Sequence, residues 1–131
     1  MRFLLDTNAV IALLNDATSK AAKRARRESP SDIAISAVVA HELFYGAFKS
    51  ARAAENVGVV DALQFEVIAL DKEDARQAGQ LRAALALEGT PIGPYDVLIA
   101  GQALAREMTL VTHNTKEFGR VPGLRVEDWQ G

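Results

Sequence analysis

The stretch Phe3–Asn8, FLLDTN, runs three apolar residues straight into an acid and two small polar residues. A short apolar run that stops at an Asp reads as a buried strand over residues 2–6. Asp6 then precedes TNAVIALLN (7–15), whose apolar content is helical with Thr and Asn at its start, and an Asp in that place is a good helix N-cap. A strand handing over at once to a helix is the first half of a strand–helix–strand unit.

Working outward, the same alternation recurs. Residues 17–28 predict a polar, basic helix that stops at Ser29-Pro30. DIAIS (32–36) predicts a second strand, AVVAHELFYGAFK (37–49) an apolar helix, and residues 51–64 another. EVIAL (66–70) is a third strand. Asp71 caps a long amphipathic helix over about 72–88, ending at Gly89. TPIGP is a turn-rich loop, and YDVLIAGQALAREM (95–108) is a mostly apolar helix. TLVT (109–112) and LRVEDW (124–129) are the last strands. Strands alternating with helices mean an α/β fold, with a mainly parallel central β-sheet of four to five strands flanked by α-helices. At 131 residues the chain is expected to be a single domain, 1–131, with no repeat or linker. The Ala-rich helices point to close packing.

Composition narrows the chemistry. There is no cysteine, which excludes disulfides, thiolate nucleophiles and sulfur-bound zinc, and fits a reducing cytoplasm. With two histidines, a metal here would be held mainly by oxygen, favouring Mg²⁺ or Mn²⁺. No apolar run approaches the ~18 residues of a membrane span, and MRFLLD is too short for a signal peptide. The net charge of −2 hides a local basic cluster, KAAKRARR (20–27). Within it Lys23, Arg24, Arg26 and Arg27 are candidates for RNA contact, against the plainer reading of a solvated helix face. Aromatic content is 6%, which gives no sign of a base-stacking platform.

Four acids stand in telling places. Ligands of open parallel sheets bind at the carboxyl ends of strands, and Asp6 ends the first strand. Glu42 lies inside a helix with Val38, Val39, Tyr45 and Gly46 on its face. A carboxylate among apolar side chains is costly unless it is paired, reaches solvent or binds a cation. Asp96 opens an otherwise apolar helix, where the helix dipole also favours an acid. THNTKEF (112–118), read as a polar loop after the fourth strand, offers Asn114 and Glu117; Thr112 or Asn114 can also organise the turn. Gathered carboxylates raise one another's pKa, and a divalent cation removes that penalty. One or two Mg²⁺ held in this way activate water for phosphodiester hydrolysis.

Together LLDTN, ISAVVAHELFYGA, IGPYDVLIAGQAL and LVTHNTKEFGRVPGLRVEDW resemble the PIN-domain ribonucleases, and more narrowly the VapC toxins of bacterial type II toxin–antitoxin pairs. The resemblance runs nearly end to end and in order. It implies that Asp6 and Asp96 are the principal Mg²⁺ ligands, with Mn²⁺ able to substitute. Glu42, before Leu43, would be the third acid. Glu117 would be the fourth, at a position often Asp in the wider family, so that it binds metal directly or through water. Thr7, Asn8, Ser36 and Asn114 would support the acids or position the scissile phosphate. It implies metal-activated water cutting RNA, with transfer RNA a family-level guess, to leave 5′-phosphate and 3′-hydroxyl ends. It also implies a VapB-like antitoxin that blocks the groove and carries the contact with operator DNA, and a homodimer within the larger complex. The alternative is a catalytically inactive PIN-type module that binds RNA or acts as a scaffold.

Overall fold

The computed structural model describes all 131 residues, Met1 to Gly131. Strand β1 (Phe3–Leu5) leads into α1 (Thr7–Asn15) and α2 (Lys20–Arg27). After a 3-10 turn, β2 (Ile33–Ser36) is followed by α3 (Ala37–Lys49), α4 (Ala53–Asp61) and β3 (Glu66–Ile68). Then come α5 (Lys72–Leu87), α6 (Pro94–Ala105), β4 (Thr109–Val111), α7 (Thr115–Phe118) and β5 (Val126–Glu127).

All five strands are parallel, in the order β3-β2-β1-β4-β5. This is the expected α/β architecture. Every residue of strands β1 and β2 is buried, and all are apolar except Ser36 at the end of β2. Leu5 pairs with Ile35 on one side and Val111 on the other. The chain winds outward from β1 to β2 and β3, then crosses over to β4. A crevice therefore opens at the carboxyl ends of β1 and β4, where the winding reverses.

Most elements are shorter than their sequence patterns. The helix expected over 51–64 spans Ala53–Asp61. The one expected over 95–108 ends at Ala105, just before Glu107 turns to φ 54°. THNTKEF is more than a loop. Asn114 accepts from the Glu117 amide and caps a one-turn helix, which four residues are too few to announce by periodicity.

Two packing features fix the site. Helices α5 and α6 lie so close that a Cβ on Gly101 would fall 2.6 Å from Ala78 Cα, which accounts for the small residues at that crossing. At the head of α5, Asp71 and Asp74 form a reciprocal capping box. The buried Asp74 carboxylate also accepts from Gln102 Nε2 at 2.9 Å and Arg106 Nη2 at 3.0 Å. Arg106 in turn reaches the Ala69 carbonyl and Asp71, so α5, α6 and the end of β3 are tied together. This orients α6, whose opposite end carries Asp96.

Candidate active site

The acids converge at the reversal crevice. Asp6, 6% exposed, follows β1; its amide donates to Val111 O at 3.0 Å and its Oδ1 accepts from the Ala9 amide at 2.8 Å. The residue is thus both a helix cap and the acid at the strand's end. Burial pushes its pKa up, the Thr112 hydroxyl and Ala9 amide pull it down, and the charges of Glu42 and Asp128 raise it again; the net shift is upward.

Glu42 is half-buried on α3 rather than enclosed by it, and Tyr45 beside it is exposed. The apolar setting expected around it is real on one side, where Ile11, Leu14, Leu43, Val59 and Val60 line a groove with it. Thr7 Oγ1 donates to Glu42 Oε1 at 2.9 Å, joining α1 to α3. Ser36 is wholly buried and caps α3 through the Val38 amide at 3.1 Å, so it sets where that helix starts. Asn8 is exposed on α1 with no hydrogen-bonded side chain.

Asp96 and Glu117 meet over Gly93. A Cβ there would stand 3.2 Å from Asp96 Oδ2 and 3.7 Å from Glu117 Oε1, so glycine leaves the two carboxyls room to face each other. Glu117 is held on both oxygens, Oε1 accepting from the Gly93 amide at 2.8 Å and Oε2 from Asn114 Nδ2 at 2.7 Å. The Gly93 amide above all keeps its pKa below the usual range. Asp96 absorbs the opposite effect. Burial first, then the charge of Glu117 and a hydrogen bond given to it, then Glu42 and Asp6, push its pKa up to about 7. None of these four acids forms an ion pair with a basic side chain.

Sequence reasoning missed Asp128. It lies beyond β5, where its charge reaches Asp6, and it accepts from His113 Nδ1 at 3.0 Å and from the amides of Gln130 and Gly131. LRVEDW (124–129) reads as strand throughout, which hides Asp128, whereas β5 stops at Glu127 and leaves Asp128 just beyond its carboxyl end.

The basic helix divides into two sets. Arg24 pairs with Glu28 at 3.0 Å and Glu127 at 3.2 Å and lies over the Phe3 and Trp129 rings, which gives it a packing role. Arg26 donates to the Ala17 carbonyl. Lys23 and Arg27 make no ion pair and, with Lys20, line a groove of about 260 Å³ that reaches Asp128.

The donor set fits a small, hard divalent cation. It is carboxylate oxygen throughout, and burial first, with repulsion from neighbouring carboxylates adding to it, pushes the Asp6 and Asp96 pKa values up. No three of the side chains close on a single point as they stand. That suits Mg²⁺, which keeps several waters and takes one or two carboxylates.

The PIN domain family profile matches residues 3–124. Over 131 residues, and 98% of each chain, the sequence is 41% identical to the tRNA(fMet)-specific endonuclease VapC of Salmonella typhimurium. It is 36% identical to Ribonuclease VapC2 of Rickettsia felis over 98% of each chain. The VapC-like fold of the DNA-bound VapBC crystal structure from Salmonella typhimurium superposes with a TM-score of 0.93, at 41% identity and 98% coverage of each chain. With the acids gathered where the sheet reverses and a match running the length of the chain, this protein belongs to the PIN-domain family, among its VapC ribonucleases.

Proposed function

We propose that this chain is the toxin of a type II toxin–antitoxin pair and a Mg²⁺-dependent endoribonuclease, with Mn²⁺ able to replace Mg²⁺. The observation that carries the reading is the unneutralised group Asp6, Glu42, Asp96 and Glu117. Folding brings like charges together here with no basic side chain in ion-pair contact with any of the four, and only the more distant charge of Arg120 acts on Glu117. Asp6 and Asp96 are the side chains to hold the ion. A bound divalent ion lowers the pKa of water and steadies charge on a phosphodiester. Thr7 fixes Glu42 in position, and Ser36 fixes the start of its helix. Asn114 and Gly93 immobilise Glu117, which keeps a lone pair on each oxygen to meet the ion directly or through water. Burial and the neighbouring carboxylates favour a proton on Asp96 in the ion-free protein, which it would give up in binding the ion. Asn8, exposed on α1, would meet the phosphate. The expected products carry 5′-phosphate and 3′-hydroxyl ends.

The substrate that the relatives' names support is transfer RNA, initiator tRNA first. Lys23 and Arg27, with Lys20, would take its phosphates. The partner is a VapB-like antitoxin. The apolar groove of Ile11, Leu14, Val59 and Val60 ends at Glu42, so it suits a partner segment with apolar side chains followed by a cation. A homodimer within the larger complex, operator DNA reached only through the antitoxin, and action in the cytoplasm complete the proposal. No helix is long and apolar enough to cross a membrane.

The test is cleavage of end-labelled initiator tRNA and total RNA by antitoxin-free protein, with Mg²⁺, with EDTA and with Asp6→Ala. Discrete 5′-phosphate products that disappear with EDTA and in the variant are expected. RNA binding unaltered by Asp6→Ala, with no cutting by the parent, would leave a binding or scaffold module instead.

A further inference from the structure

An aromatic pair bridges the two helices that carry Glu42 and Asp96. His41 on α3 and Tyr95 on α6 meet edge to face, with ring centroids 5.1 Å apart and planes at 66°. Each ring belongs to the residue immediately before an acid, Glu42 and Asp96 respectively. Tyr95 is 48% exposed, and His41 is exposed as well. Neither ring hangs loosely. Tyr95 follows Pro94, whose fixed backbone starts α6. His41 Nδ1 lies 3.2 Å from the Val38 carbonyl, and since a carbonyl only accepts, Nδ1 is the donor. In the neutral ring Nε2 is then left as an acceptor. Two rings from different helices therefore hold a half-open π-face in one place.

On the ribonuclease reading above, we propose that His41 and Tyr95 form a base-binding subsite. An unstacked nucleobase of the RNA, adjacent to the phosphate being cut, lies on the open face of Tyr95. His41 braces that ring, and its Nε2 faces the base edge. A low aromatic count does not preclude this, because one ring held rigidly beside the scissile phosphate suffices. Position favours RNA over a protein side chain. The rings touch across the same α3 and α6 segments over which the charge of Glu42 reaches Asp96, so a group on Tyr95 lies near the acids that would act on a phosphate. The apolar groove of α1, α3 and α4 is separately available to a protein segment. Base–aromatic stacking is worth roughly tenfold in affinity and is tolerant of sequence, so the subsite serves grip and register more than base identity.

The test uses the full chain in an Asp6→Asn background, which removes cutting, with a fluorescein-labelled single-stranded RNA followed by anisotropy. Tyr95→Ala is expected to weaken binding about tenfold, and Tyr95→Phe and Tyr95→Trp to keep it. Replacing nucleotides one at a time by an abasic residue should find a single position that loses the same factor, and loses nothing more in Tyr95→Ala. In the cutting protein, Tyr95→Ala should raise KM with kcat nearly kept. Binding within twofold of the parent in Tyr95→Ala, or weakened in the Trp variant, overturns the subsite. So does a change of oligomeric state by light scattering, or loss of antitoxin binding alone, since the ring would then be a protein contact. Cutting by the parent with no Tyr95 effect on binding sinks the subsite and spares the nuclease. Tyr95-dependent binding without any cutting supports the subsite and sinks the nuclease.

Discussion

The chain contains two groups of acids, and they are wired in opposite ways. At the head of α5, Asp74 is 1% exposed, yet hydrogen bonds from Arg106, the Asp71 amide and Gln102 outweigh the upward push of burial and hold its pKa down. At the reversal crevice, Asp96 is only half-buried and is pushed up to about 7. Depth of burial does not separate the two; the partners do. The first group closes on its own guanidinium and stabilises the fold. The second faces other carboxylates and destabilises the ion-free protein, an imbalance expected of a site whose counter-charge comes from outside.

The comparison is sharpest under removal of a crevice acid. Asp96→Asn should abolish Mg²⁺-dependent cleavage, by more than the ~10–100-fold that loss of a supporting partner causes. In EDTA at neutral pH the same variant should melt higher than the parent. The sign follows from proton binding. Asp96 has a folded pKa of about 7 against an ordinary 3.8, so between those values the native state holds the extra proton and stability falls as pH rises. Thermal melts in EDTA across that window should decline for the parent and flatten for Asp96→Asn. A variant that melts lower at pH 7 would remove the contrast between the groups.

Arg106→Ala probes the other group. It strands a buried Asp74 and should cost about 3 kcal/mol, or roughly 10 °C in Tm. The folded fraction should still cut RNA. Asp74, with its pKa held below 3.8, contributes stability above that value and loses it as the solution is acidified through its folded pKa. An Arg106→Ala protein as stable as the parent at pH 7 would mean the ion pair is not what neutralises Asp74.

Thr7→Val deletes the hydroxyl that holds Glu42, within a side chain of nearly the same shape. Cleavage should drop about tenfold with Tm almost unchanged, and a melt shifted by several degrees would make Thr7 a structural residue. The smallest effect is expected from Gly93→Ala. Its backbone, at φ −56° and ψ 150°, accepts alanine, but the new Cβ meets Asp96 Oδ2 at 3.2 Å and must move it by a few tenths of an ångström. A few-fold loss of activity at unchanged fold is the expected reading, and full activity would show that the two carboxyls need no such clearance.

Sequence alone was enough for the alternation of strand and helix, because apolar periodicity and caps act within a few residues of each other. The same local signals gave Asp6 as strand end and cap, Asp71 as the cap of α5, and the four acids as candidates. They could not say that β1 lies at the centre, or that Thr7 would reach Glu42 across 35 positions. They also missed that Asn114 caps a single helical turn, that Asp128 stands near Asp6, and that Arg24 is paired and Arg26 bound to a carbonyl while Lys23 and Arg27 make no ion pair. Nor could an aromatic percentage reveal that His41 and Tyr95 meet. Charges and rings far apart in the chain acquire their roles only when the sheet's crossover brings their elements together. Whether an acid is neutralised or left exposed to its own kind is a property of that meeting, and only the tertiary structure decides it.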